Sequence, residues 1–274
     1  MPTSNTQKKP QKNRNMRKSI ILQVSFLMLA AVMTTSCVSY SCSNVVEGGK
    51  KIVENRNLSG FEEIEISGSP TVYYAQADSF SVSVEGKESA VERIITEVHN
   101  GTLYIRNRSK VGPVNVVIVT GSSPVVRVSS PDLVGVRLNG SGDFISEGRI
   151  DTDRMNVMLR GSGDIRIKDI ICDRSRVDLV GSGDIEIKRL ETQASTIELV
   201  GSGDIDISQH NVAKTDIALR GSGDVNVDFA DGCVTADVEL RGSGDIDLSG
   251  HLKHYTMDKR GSGDVDTNNL SVEK

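Results

Sequence analysis

The chain has 274 residues, a formal net charge of −5 at neutral pH, no tryptophan and only 4% aromatic residues. A negative net charge argues against nucleic-acid binding, because contact with phosphates needs concentrated lysine and arginine. The scarcity of aromatic side chains disfavours a broad carbohydrate-stacking platform.

The N-terminal segment predicts export. The stretch "MRKSIILQVSFLMLAAVMTTSC" has a basic start, an apolar run over residues 20–33 and small residues before Cys37, which is the pattern of a secretory signal peptide. The apolar run is short for a bilayer span. We therefore expect residues 1–36 to be a signal peptide, and Met16 would give it an ordinary length.

Cys37 directly follows small residues, as in the processing site of a bacterial lipoprotein. We expect Cys37 to carry the lipid, residues 37–50 to form a tether, and the protein to be anchored in the cell envelope, at the outer membrane. An ordinary secretory signal cut near the same place is the alternative. Removal of residues 1–36 deletes six basic and no acidic residues, which takes the net charge from −5 to −11.

Residues 51–135 are β-rich but irregular. The stretches "GFEEIEISGSPTVYY" and "GPVNVVIVTGSSPVVRV" alternate or run apolar between Gly, Ser and Pro turns, and "NGTLYI" predicts a hairpin turn followed by a strand. Only "ESAVERIITEV", from Glu88, has apolar residues at helical spacing, and it predicts a helical turn running into a strand. We interpret residues 51–135 as the irregular first half of one β domain.

The tetrapeptide GSGD occurs seven times in the second half of the chain, at spacings of 19 to 21 residues. A fixed period of this length indicates a repeat architecture. Apolar residues stand near each copy on both sides, separated by polar ones, as in "RVDLVGSGDIEIK". This alternation is typical of strands with one buried face. The copies begin at Gly140, Gly161, Gly181, Gly201, Gly221, Gly242 and Gly261.

Each repeat therefore predicts a strand, a glycine bend, a second strand and a second bend. No stretch is long enough for a helical crossover. Of the remaining arrangements, a meander of hairpins or a solenoid, the near-constant period favours the solenoid. We predict an all-β, right-handed parallel β-helix, of pectate-lyase-like architecture, with seven regular coils over residues 136–274. Lys259 replaces a repeated leucine, and we expect the last coil to be a polar cap.

The glycines of GSGD have a structural explanation. A sharp bend between two core-facing strands needs positive φ or close backbone approach, which glycine reaches without strain. The aspartate can accept backbone N–H bonds at the bend.

Stacked coils would place these aspartates in one column, with neighbours about 4.8 Å apart. In the last four coils a second polar column follows two residues later. Backbone N–H bonds to each carboxylate would offset the repulsion without a metal, and this is our main expectation; bound Ca²⁺ is the alternative, and no other cofactor is expected. The candidate calcium ligands are Asp204, Asp206, Asp224, Asn226, Asp245, Asp247, Asp264 and Asp266.

Nothing in the repeats predicts an enzyme. Catalysis would need a cluster of unlike groups that breaks the repeat at one place, and the four histidines form no ligand or triad pattern. The histidines are His99, His210, His251 and His254.

The spacing of the cysteines and the positions of the aromatic residues lead to two further expectations. Cys172 and Cys233 fall three coils apart, about 14 Å, which is too far for a disulfide, so we expect both to be free and largely buried. Most of the few aromatic residues lie in the first half, where any carbohydrate contact should be sought, although strand tyrosines more often pack. They are Tyr73, Tyr74, Phe80 and Tyr104.

The lipoprotein-like signal, "NLSGFEEIEISGSPTVYY", "EVHNGTLYI" and the GSGDI-type coils together resemble the bacterial "head GIN domain" family of auto-transporter-type adhesins, common among Bacteroidetes envelope proteins. The resemblance runs from about Asn57 to the last repeat. It implies a single-stranded right-handed β-helix and a role in cell adhesion. We expect the protein to be non-enzymatic and its partner to be a surface glycan or a protein ligand; a calcium- or glycan-binding β-helix is the alternative. The resemblance transfers no catalytic residues.

Overall fold

The computed structural model of the protein describes residues 50–108 and 123–273. They form an all-β solenoid of about seven turns, which confirms the predicted fold class. The handedness of the coil stays a prediction.

Each regular coil contributes one strand before the GSGD bend and one after it. We call the sheet formed by the first set face A and the sheet formed by the second set face B. Face A contains β8 (Gly135–Gly140), β10 (Arg154–Gly161), β14 (Val212–Gly221) and the second halves of β11 (Asp164–Gly181), β12 (Asp184–Gly201), β15 (Val225–Gly242) and β16 (Ile246–Gly261). Face B contains β9 (Asp143–Asp151), β13 (Ile205–His210), β17 (Val265–Val272) and the first halves of β11, β12, β15 and β16.

Neighbouring coils pair in parallel, so equivalent residues of successive repeats lie side by side. The leucine before each bend forms one fully buried column, and the first apolar residue after the bend forms another, because alternate residues of a strand point to the same face. The leucine column is Leu138, Leu159, Leu179, Leu199, Leu219 and Leu240. Cys172 and Cys233 are free and buried, as predicted.

Each bend is locked to the bend of the preceding coil. The N–H groups of Ser182 and Gly183 both donate to the carbonyl oxygen of Gly161, at 2.9 and 3.2 Å. A Cβ built on Gly183 would collide with the carbonyl oxygen of Gly163, and Gly181 has a φ of +143°. The two glycines are therefore required for different reasons, one for close approach and the other also for its backbone conformation.

The first half is more ordered than the sequence indicates. Its elements are β1 (Lys51–Arg56), β2 (Glu63–Gly68), β3 (Thr71–Gln76), β4 (Ser81–Lys87), α1 (Glu88–Val91), β5 (Ile94–His99), β6 (Thr102–Asn107) and β7 (Val125–Ser130). β2 pairs in parallel with β8, and β3 with β9. The bend at Gly68 thus stacks on the bend at Gly140 and continues the solenoid by a coil that GSGD does not mark.

The remaining strands of the first half extend both faces. β6 pairs in parallel with β2, and β7 with β3, while β1, β4 and β5 pair in antiparallel fashion. The predicted hairpin turn is confirmed at Asn100 and Gly101, both with positive φ, between β5 and β6. The helical turn predicted from Glu88 is also confirmed.

Candidate functional site

The aspartates of the GSGD motif form the aspartate column, and each carboxylate has a partner. Its members are Asp143, Asp164, Asp184, Asp204, Asp224, Asp245 and Asp264. From Asp184 to Asp245, Oδ1 accepts the backbone N–H of the next aspartate at 3.2, 3.0, 3.1 and 2.6 Å in turn. These bonds confirm that the carboxylates cap the neighbouring bend, and they lower the repulsion within the column.

The aspartates outside this ladder have side-chain partners. Asp143 accepts the hydroxyl of Thr71 at 3.1 Å, Asp164 contacts Arg166 at 2.6 Å, and Asp264 contacts Lys259. Each carboxylate of the aspartate column therefore has at least one partner within the protein.

The second polar column lies on face B and lines an open groove of about 500 Å³. Asp206, Asn226, Asp247 and Asp266 stand in register there. Asn226 Nδ2 donates to Asp206 Oδ1 at 2.6 Å, and the N–H of Asn268 donates to Asp266 Oδ1 at 2.7 Å.

Asp247 is the member of the second column without a partner. Its carboxylate makes no hydrogen bond or ion pair within the described residues. Desolvation and the nearby charges of Asp266, Asp245 and Asp224 raise its pKa. Within residues 50–108 and 123–273, no group of three or more His, Cys, Asp or Glu side chains is arranged to hold a metal ion. Calcium binding by the eight candidate ligands stays a prediction.

The aromatic residues of the first half either pack against neighbouring side chains or lie apart from one another on the surface. Tyr74 is buried, donates to Ser130 and has its pKa raised to about 12, mainly by burial. The guanidinium of Arg127 lies over the ring of Tyr73, 5.2 Å from its centroid. Phe80 packs against Phe61, and Tyr104 against His99. The four residues do not form one continuous stacking surface.

The outer surface of face A is rich in ion pairs. Arg176 bridges Asp178 at 2.8 Å and Glu198 at 2.9 Å, and further pairs continue in later coils. On face B, Asp169 contacts both Arg149 and Arg189, and these bonds lower its pKa although burial opposes them.

One interruption of face A was not predicted. Gly135 lies between Glu63 and Asn156 in a column that otherwise carries side chains, and it opens a notch of about 240 Å³. A lone glycine in a strand signals a bulge or close approach. In this chain the glycine opens a notch because Gly135 pairs with Glu63, a residue 72 positions earlier in the sequence.

The four histidines do not form a cluster. His210 Nδ1 lies 2.6 Å from Asp231 Oδ2, and His99 lies 3.7 Å from Glu97. The predicted lipidation site, Cys37, lies outside the described residues. Over the part of the chain that the structure describes, no helix has the length and apolar character needed to cross a bilayer.

Comparison with known proteins identifies one matching family and several solved structures with a similar fold. The family model described as "Putative auto-transporter adhesin, head GIN domain" matches residues 60–239. A "putative adhesin" from Bacteroides fragilis has a similar structure, with a TM-score of 0.70 and 22% identity over 80% of this chain and 97% of that one. A comparison with curated proteins gives no match.

Two structures from Parabacteroides distasonis are also similar. One, named "Putative lipid binding protein", has a TM-score of 0.64 and 23% identity over 83% of this chain and 98% of that one. The other, a "putative adhesin", has a TM-score of 0.61 and 21% identity over 79% and 96%. At these identities the likeness concerns the fold.

Proposed function

The chain belongs to the family described as "Putative auto-transporter adhesin, head GIN domain", and from this membership we propose that it is a cell-envelope protein that presents a rigid β-solenoid for adhesion. The family match carries the proposal, because it covers the first-half strands from β2 onward and most of the regular coils.

Rigidity supports an adhesive role. Every regular bend is tied to its neighbour by backbone hydrogen bonds, and the glycines of neighbouring bends lie so close that no side chain would fit between them. A surface held in one conformation loses little conformational entropy when it binds, so more of the contact energy appears as affinity.

The outer surface of face A also supports contact with a partner. The residue before each bend forms an outward column in which arginines flank Val180 and Val200, which are 44% and 40% exposed. Arginine is enriched at protein interfaces relative to the rest of the surface. The arginines of this column are Arg160, Arg220, Arg241 and Arg260.

The anchor is the second part of the proposal. Cys37 carries the lipid and holds the protein at the outer membrane, and Cys42 is the matched control. A Cys37→Ser chain should lose incorporation of labelled palmitate and leave the membrane fraction, whereas Cys42→Ser should behave as the wild type. Equal labelling of wild type and Cys37→Ser would overturn Cys37 as the lipidated residue.

We propose no catalytic role and no nucleic-acid partner. The repeat stays regular through the C-terminal coils, and the His210–Asp231 pair lies at an exposed bend, away from the groove on face B. The mature chain is acidic.

Calcium binding on face B is a second candidate, favoured by the unpartnered carboxylate of Asp247. Carboxylate and amide oxygens suit Ca²⁺. Millimolar Ca²⁺ should then raise the melting temperature of the wild type but not of Asp247→Asn, with Mg²⁺ as the control ion. An unchanged wild-type melting temperature would leave both columns as structural features.

Adhesion is tested by deleting the gene in its own bacterium and counting attached cells on mucin-coated and fibronectin-coated surfaces. The proposal expects fewer attached cells on at least one surface and recovery with the wild-type gene. Equal attachment of parent and deletion strains on both would count against adhesion to these glycan and protein surfaces.

A further inference from the structure

The glycine at position 135 is not required by the backbone. A Cβ added there would meet Asn156 and Glu63 only at 3.5 to 3.6 Å, which is ordinary contact, and its φ lies outside the left-handed region. The GSGD glycines differ, since a Cβ on any of them would strike the preceding coil. The effect of a glycine at position 135 is therefore to leave the space of the notch open.

The charges of the residues that line the notch are balanced. Arg137 Nη1 lies 3.4 Å from Glu63 Oε2, and Arg176 Nε lies 2.8 Å from Asp178 Oδ2. Among the lining residues, two guanidinium groups thus face two carboxylates, and Glu65 and Glu198 contact the same guanidinium groups from outside the notch. Both guanidinium groups therefore already have carboxylate partners, which disfavours a free anion as the ligand.

The carboxylate of Asp178, which lines the notch, has one unsatisfied oxygen. Asp178 is 9% exposed, and its Oδ1 has no hydrogen-bond donor among the described residues, since Arg176 is engaged by Oδ2. A buried polar atom without a partner is uncommon and costly. Because Oδ1 is itself shielded, a ligand hydroxyl in the notch would bond to Oδ2, the oxygen that Arg176 contacts.

The size and floor of the notch limit the ligand further. Its volume of about 240 Å³ lies below the roughly 300 to 1,000 Å³ of sites for drug-sized molecules, so it suits one ring. Ile64 and Val157 lie beneath it and Met158 borders it, which gives an apolar side.

We propose that this notch binds one neutral hexopyranose unit of a surface glycan. The inference rests on the proposed adhesive function and names its ligand class. A hydroxyl donates to the carboxylate of Asp178, and free N–H groups of Arg137 and Arg176, which carry five donors each, donate to ring or hydroxyl oxygens. The C–H face of the sugar packs against Met158.

The test uses the mature wild-type chain and Gly135→Thr, which copies the threonines at positions 196 and 256 of the same column. Saturation-transfer NMR with millimolar methyl glycosides of glucose, galactose and mannose should give transfer for the wild type with at least one sugar. Gly135→Thr should keep the wild-type melting temperature and reduce the transfer at least tenfold.

Two further variants make the result specific. Gly148→Thr makes the same change at an exposed site with open space around it and should bind as the wild type. Asp178→Asn keeps the side-chain shape but exchanges an acceptor for a donor and should weaken binding. Wild-type transfer that Gly135→Thr leaves unchanged, or no transfer with any of the three sugars, would overturn the site.

This result is separable from the adhesive function. If wild-type cells attach and Gly135→Thr cells attach equally well, the notch is wrong and adhesion stands. If wild-type and deletion cells attach equally, the adhesive function itself fails, whatever the sugar titration shows.

Discussion

The Nζ of Lys259 lies 2.6 Å from Oδ1 of Asp264, at the last GSGD bend. In the coils before it, the position of Lys259 is a buried leucine, and the carboxylate of Asp245 accepts the backbone N–H of Asp264. No described GSGD bend follows Asp264 to supply such an N–H. Lys259 therefore ends the leucine column and supplies a donor to the last carboxylate with one side chain.

Replacing Lys259 by leucine should promote self-association. The ion pair is exposed, so its loss should change the free energy of unfolding by less than about 1 kcal/mol. The change also extends the apolar column to an exposed end, where Met257 is already 50% exposed, and end-to-end contact becomes favourable. Light scattering after size exclusion should show larger species for Lys259→Leu, and a monodisperse variant identical to wild type would refute the capping role.

The leucine column should dominate the stability of the coils. Leu199 is fully buried, and Leu199→Ala should lower the free energy of unfolding by about 2 to 5 kcal/mol. Glu198→Ala, one residue away on the outer surface, loses only an exposed ion pair with Arg176 and should cost less than about 1 kcal/mol. Urea unfolding measures both, and equal losses would mean that the buried face is misassigned.

The second glycine of each bend should tolerate no side chain. Gly183→Ala places a Cβ against the carbonyl oxygen of Gly163, a backbone atom that cannot rotate away as a flexible side chain could. We expect a loss of at least about 3 kcal/mol, at the level of the largest single-site effects. Gly148→Ala, with open space at its Cβ, should be nearly neutral. Thermal melting compares the two, and a folded Gly183→Ala with wild-type stability would contradict the packing of the bends.

Two aspartates should respond to neutralisation with opposite signs. The pKa of Asp247 is raised, by desolvation and by Asp266, Asp245 and Asp224, so the folded state holds its proton more readily than the unfolded state. Its ionisation costs stability as pH rises through the raised pKa. Asp247→Asn should therefore stabilise the protein at pH 7 by about 0.2 to 1 kcal/mol, as expected when opposed like charges are relieved.

Asp237 is the matched case. The hydroxyl of Thr256 and the ammonium of Lys214 lower its pKa, so its ionised form contributes stability that is present above about pH 4 and lost as pH falls through the lowered pKa. Asp237→Asn should be less stable than wild type at pH 7. Both differences should shrink at acid pH, and variants that shift in the same direction at pH 7 would contradict this electrostatic account.

The regular coils were predictable because the repeat is nearly invariant. GSGD fixed which residues share a column, and the parallel register places Leu179 beside Leu199 as the spacing requires. Irregular coils were expected in the first half, but the regular bend at Gly68 was not recognised among them because it reads "GSPT", where Pro70 stands in place of the second glycine. Only the stacking of Gly68 on Gly140 reveals the equivalence.

The candidate sites were less predictable, because they depend on contacts between distant residues. The sequence placed the carboxylates in a column, but which oxygen accepts which N–H follows only from the stagger of neighbouring coils. The notch at Gly135 needs β2 to pair with β8 across 72 positions and needs Asp178 two coils further on. No local pattern around Gly135 indicates this arrangement.

Adhesion is the central claim, and the attachment of beads coated with the mature chain to mucin and fibronectin surfaces under flow tests it most directly. Wild-type beads should resist shear that removes bare beads on at least one surface, soluble wild-type chain should release them, and soluble Gly183→Ala chain, with its bends disrupted, should not. Coated and bare beads that detach at the same shear on both surfaces would contradict the account.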